Sequence, residues 1–177
     1  MTKDTKLTRR DAISAAAAAT GLVTSASAQS MADDDCKAVA ESYLKSLDAG
    51  GVSPTNGLSL FDHFTDVAEV YFPKWGVARG KAEITQMFSD VGGSLKAIKH
   101  HCDGFTWYMN GTDQFAVEGT SEDEHRDGPW MADQPKWGAD RWSDCFTVNE
   151  GKITRLFIYL DPDHAGKDTS RHRWITA

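Results

Sequence analysis

Residues 140–160 read DRWSDCFTVNEGKITRLFIYL. From Asp140 to Val148 the side chains alternate, with Trp142, Phe146 and Val148 sharing one side, which is the period of a half-buried strand. Asn149-Glu150-Gly151 is a turn signal, and Lys152 to Leu160 is a second apolar-rich strand, so the stretch predicts an antiparallel hairpin. One residue on the apolar side does not match its neighbours: Asp144. A lone carboxylate there costs free energy unless it is hydrogen-bonded or protonated. Burial raises its pKa, so that it can donate a hydrogen bond or act as a general acid. The plainer reading is a structural carboxylate satisfied by backbone amides or by Arg141.

Working back along the chain, Lys96 to Met109 and Gln114 to Thr120 form a second strand pair, joined at Asn110-Gly111. The roughly 17 residues from Ser121 to Trp137 connect the two hairpins and hold Pro129, Pro135, Trp130 and Trp137. A connection of that length is functional or disordered, and its two tryptophans are lid candidates. Within it, Glu122 to Asp127 reads as a solvated charge run. Further upstream, Val39, Tyr43, Leu44 and Leu47 recur at helical spacing until Asp48-Ala49-Gly50-Gly51 stops them. Leu58, Leu60, Phe61 and Phe64 suggest a short second helix, Val67 to Phe72 a strand, and Pro73 to Gly76 a turn. Ile84, Met87, Phe88 and Val91 mark a third helix over Lys81 to Val91, closed by Gly92-Gly93. Helices first and antiparallel strands after define an α+β layer, with helices covering one face of a curved sheet.

Of 177 residues, 40% are apolar and 25% charged, with a net charge of −7. That fits one globular domain, and it argues against a nucleic-acid partner, which needs a basic face. No 18-residue apolar run crosses a membrane. The first 28 residues read as an export signal. Lys3, Lys6, Arg9 and Arg10 precede an uncharged alanine-rich stretch that ends in Ala26-Ser27-Ala28. Arg9-Arg10 points to the twin-arginine route, and the expected destination is periplasmic or secreted. The domain then spans residues 29–161, with a tail over 162–177 that folds over the opening or frays. Cys36, Cys102 and Cys145 are an odd set, so at most one bridge forms, and Cys102 pairs with Cys145 only if their segments are neighbours.

Three local stretches carry a resemblance. Tyr43-Leu44-Lys45-Ser46-Leu47-Asp48-Ala49-Gly50 is similar to the first-helix end where ketosteroid isomerases place a cavity tyrosine. Asp144 to Ile153 is similar to the strand–turn–strand carrying their protonated aspartic acid. His100, eleven residues before Gly111, stands where SnoaL-like dehydratases have an active-site histidine. The chain thus resembles the SnoaL-like and ketosteroid-isomerase-like branch of the NTF2-like superfamily over residues 36–161. The resemblance implies a strongly bent antiparallel sheet wrapped around three N-terminal helices, an apolar cavity, and a homodimer or higher homo-oligomer. It also shows a departure. The isomerase base is an aspartate before a proline, and here that position is Phe72, followed by Pro73. The last strand likewise has no Arg-x-Asp motif of the limonene-epoxide-hydrolase kind.

Tyr43, His100 and Asp144 are therefore the candidate catalytic groups: two acids or oxyanion donors and one base. Plain core packing would account for Tyr43 and His100 equally simply. His101 is adjacent on the same strand and leaves on the other face, so the two histidines cannot chelate one metal ion. Phe72, Trp75, Trp107, Trp130 and Trp142 are candidate substrate-binding walls, beside Tyr71 and Trp137. Asp62 and His63 read as structural, and Tyr159 and Asp161 as guides for the tail. No metal-ligand spacing, phosphate loop or nucleophilic-serine motif is present, so no cofactor is expected. The reading is a cofactor-independent lyase (dehydratase) or isomerase acting on a small apolar, aromatic or polyketide-like molecule. The alternative is a non-catalytic ligand-binding or dimerisation module using the same cone.

Overall fold

Apolar residues four and seven apart at Cys36, Ala40, Tyr43, Leu44 and Leu47 give helix α1 (residues 33–48) one buried stripe. It ends in a Schellman motif: Gly50, at φ +76°, donates to Leu47 O, and Gly51 donates to Ser46 O. The computed structural model describes residues 33–126 and 141–160. The export signal, Trp130 and Trp137, and the tail lie outside them.

After α1 come strands β1 (Phe64–Phe72) and β2 (Gly76–Arg79), helix α2 (Gly80–Ser94), then β3 (Leu95–His100) and β4 (Thr106–Asn110). β5 (Gln114–His125), β6 (Arg141–Asn149) and β7 (Lys152–Leu160) complete the order. They form a seven-stranded sheet in the order β2-β1-β7-β6-β5-β3, with β4 also on β5, and β1 running parallel to β7. The β6–β7 hairpin closes through Glu150 and Gly151, both at positive φ, as a two-residue turn of the primed type requires. α2 buries Ile84, Met87, Phe88 and Val91, and packs chiefly on β1.

The architecture is the α+β layer that the strand pattern implies, curled into the cone that the family resemblance implies, with three local corrections. Two α-helices, not three, are present among the described residues, because Leu60–His63 is a single 3-10 turn and Phe64 opens β1. The strand expected over Lys96 to Met109 is broken by a turn at Cys102–Gly104, so β3 and β4 pair with successive halves of β5. β5 runs on to His125, beyond the expected end at Thr120. Its outward Glu122 and Glu124 meet Lys99 and Lys96 at 2.9 and 2.7 Å, which turns a charge run into a cross-strand ladder. All three cysteines are free thiols.

Candidate active site

Trp142, Asp144, Phe146 and Val148 alternate inward along β6 and are all buried. Trp142 and Asp144 face a cavity of about 810 Å³ between the bent sheet and helices α1 and α2. Tyr43, His100, Asp144, Phe72, Trp75 and Trp142 all line it. Trp107 does not: it packs against Phe105 and Phe115 away from the cavity, because the break before β4 carries it past the wall.

Asp144 is 4% exposed, and its Oδ1 has no hydrogen-bond partner among the described residues. Burial alone pushes its carboxyl up to about 8, so it is mostly neutral near pH 7. No Arg141 contact accounts for it. Tyr43 is enclosed by the rings of His63, Phe64, Phe88 and Phe146. Burial, and secondarily the charge of Asp144, hold its phenol well above its ordinary value. Both groups are therefore proton donors in the neutral range.

His100 is held differently. Its Nδ1 lies 2.6 Å from Asp48 Oδ1, and its backbone N–H donates to Asp48 Oδ2 at 3.0 Å. With Asp48 ionised, Nδ1 carries the hydrogen, which leaves Nε2 with the lone pair. The ring meets Trp142 edge-on at 5.3 Å, and Trp142 is two residues from Asp144 on the same strand face. His100 and Asp144 thus stand along one wall, separated by an indole. Gly119, opposite Trp142 in the β5–β6 register, makes room for it. A Cβ at Gly119 would overlap Trp142 Cζ2 and approach Phe105 Cε1 to 2.8 Å.

Two wall residues escaped the sequence reading. Asp48 sits in the last turn of α1, where the helix dipole disfavours a carboxylate. That misplacement was the available signal. Asp123 lies inside the charge run, but its side chain lines the cavity. Ser121 Oγ donates to its Oδ2 at 2.9 Å, and burial raises its carboxyl to about 6. No period-2 pattern inside an acidic run could have shown this.

The other candidates fall elsewhere. His101 is exposed, 2.9 Å from Thr120 Oγ1. His63 is buried, with Nε2 2.8 Å from Ser42 Oγ and Nδ1 3.0 Å from Ser59 O. This pair ties α1 to the 3-10 turn and does not line the cavity, nor does Asp62. Among the described residues no three His, Cys, Asp or Glu side chains form a group that could hold a metal ion, and no helix is long and apolar enough to cross a membrane.

No protein-family model matches the chain, and no curated protein matches it in sequence. Solved structures do. An NTF2-like protein from Anabaena variabilis superposes with a TM-score of 0.56 at 19% identity, over 74% of this chain and 92% of that one. A proposed polyketide cyclase from Xanthomonas campestris pv. campestris gives 0.54 at 12% identity, over 72% and 91%. A hypothetical protein of ketosteroid-isomerase-like fold from Catenulispora acidiphila, in complex with trimethylamine, gives 0.50 at 12%, over 71% and 87%. These likenesses define the class: an α+β protein with the NTF2-like cone fold. Its structural neighbours include a polyketide-cyclase-like and a ketosteroid-isomerase-like protein. At such identities the fold carries over and the reaction does not.

Proposed function

We propose that the chain is an exported, cofactor-independent lyase (dehydratase) or isomerase that works by acid–base catalysis on a small apolar, planar molecule bearing a carbonyl. The observation that carries this reading is the Asp48–His100 pair on the wall of the cavity that also holds the neutral acids Tyr43 and Asp144. His100 Nε2 would remove a proton from the carbon next to the carbonyl, and Asp48 would stabilise the imidazolium so formed. Tyr43 and Asp144 would donate hydrogen bonds to the carbonyl oxygen as it becomes an enolate oxygen. The imidazolium would then return its proton, either to a departing β-hydroxyl, which leaves as water, or to a different carbon, giving an isomer. Apolar walls supplied by Leu44, Phe72, Phe88 and Ile158 exclude water and strengthen these contacts. The departure at Phe72 removes the carboxylate base of the ketosteroid type, and His100 from the opposite side of the cone takes that role. The neighbours' descriptions as a polyketide cyclase and a ketosteroid-isomerase-like fold support this reaction class.

The experiment is a panel of β-hydroxyketones and enones of planar aromatic type, followed by absorbance and mass for loss of water or double-bond migration. A turned-over substrate should lose about 10²- to 10⁴-fold in kcat/KM in His100→Ala. Turnover unchanged in both His100→Ala and Asp144→Ala would leave the cavity as a binding site without chemistry.

A further inference from the structure

Asp123 is a carboxyl the reaction above leaves unused. It sits on β5, two register positions from His100 of β3: His100 pairs with Ser121, and Asp123 pairs with Ile98. Side chains at 121 and 123 leave the strand on the same face, so the Asp123 carboxyl and the His100 imidazole are diagonal neighbours on the cavity wall. The two carboxylates of this corner are engaged differently. Asp48 spends both oxygens on His100. Among the described residues Asp123 engages only Oδ2, on Ser121, and its buried Oδ1 has no partner. A buried acceptor without a donor costs stability, and such groups persist where a ligand completes them.

We propose that Asp123 is a ligand-binding residue that accepts a hydrogen bond from a hydroxyl on the substrate, so that the site selects planar molecules carrying a phenol or enol O–H besides the carbonyl. The inference rests on the cavity being the substrate site and extends that reading to a substrate class. One open acceptor oxygen matches one O–H donor, whereas an ammonium group carries three N–H donors and would need several acceptors around it. The raised pKa of about 6 leaves the carboxyl mainly ionised above neutrality, which suits an acceptor. The titratable groups around it are His100 and His101 from the β3 side and Asp48 from α1, with Lys96 also on the cavity wall.

The test is equilibrium binding of 2-naphthol and 2-methoxynaphthalene at pH 7.5, read by quenching of tryptophan fluorescence in the full chain. A charge-assisted hydrogen bond predicts that the naphthol binds about tenfold more tightly than its methyl ether. Asp123→Asn should bring the two to within twofold, while its melting temperature at pH 8 stays unchanged or rises, because a desolvated carboxylate has been removed. A purely structural Asp123 would instead lower the melting temperature and leave the preference in place. Ser121→Ala keeps the carboxylate and removes its internal donor, so the preference should hold or grow there. Equal affinities in the wild type, no binding of either probe, a preference that survives Asp123→Asn, or parity in Ser121→Ala overturns the proposal. The assay involves no turnover, so its failure is separate from a failure of the His100 chemistry.

Discussion

At the scale of single residues, the site is a set of groups whose environments push their proton affinities apart. Asp144 and Tyr43 are driven toward neutral donors by burial, while the Asp48 carboxylate holds the His100 ring by its Nδ1. This makes a binding prediction that needs no substrate. A flat, neutral, non-titrating ketone such as 9-fluorenone should bind with its oxygen at Asp144. Only the protonated carboxyl donates, and the ionised form repels the carbonyl lone pairs. Affinity, followed by fluorescence quenching, should therefore fall as pH rises through about 8, and Asp144→Asn should flatten the curve. A wild-type curve that is level from pH 6 to 9 would mean that Asp144 does not meet the ligand. Asp48 gives a second residue-level prediction. Asp48→Ala strips acceptors from both the ring and the backbone N–H of His100, and should destabilise the fold by about 1–3 kcal/mol. Asp48→Asn keeps one acceptor oxygen and should cost less, which paired denaturant titrations will show.

At the scale of elements, the active wall depends on a bend. The turn at Cys102–Gly104 splits what the sequence presents as one strand, and His101 N–H still donates to Thr120 O across the break. Asp48, at the C-terminal end of α1, clamps the strand just before that break. Trp142 can lie over β5 only because position 119 has no side chain. Gly119→Ala should therefore cost about 1–3 kcal/mol through overpacking, seen as a fall of several degrees in melting temperature. It should also weaken binding of any cavity probe, since the displaced indole moves against His100. A stable variant with unchanged probe affinity would show that the indole has another resting place. These features mark the limit of what the chain reveals before folding. The inward set on β6, the two hairpin turns and the stripes of α1 and α2 follow from period and turn chemistry, which are local. The break in β3–β4, the short β2 and the inward turn of Asp123 depend on which strand each segment comes to pair with. So does the exclusion of Trp107 from the wall. Asp48 lies between these cases. Its identity was visible, and so was its poor fit to a helix C-terminus, but its partner is 52 residues away.

At the scale of the whole molecule, holding neutral acids buried inside the cone should be visible in global stability. Asp144 keeps its proton up to about pH 8 when folded, whereas an unfolded aspartate releases it near pH 4. Between those values the folded chain binds more protons than the unfolded one, so stability falls as pH rises. Below about pH 4 both states are protonated and the carboxyl is least costly. Above about pH 8 both are ionised, and the full penalty, of order 5 kcal/mol, is present. Asp123 acts in the same direction over the narrower span from about pH 4 to 6. Asn at position 144 does not ionise and so removes only the larger contribution. Calorimetry of wild type and Asp144→Asn should therefore give similar melting temperatures near pH 5 and diverging ones as pH rises. By pH 9 the variant should be more stable by roughly 10 °C. Parallel curves across that range would mean that the carboxyl is already ionised in the folded chain. The neutral donor on which the proposed chemistry depends would then be absent.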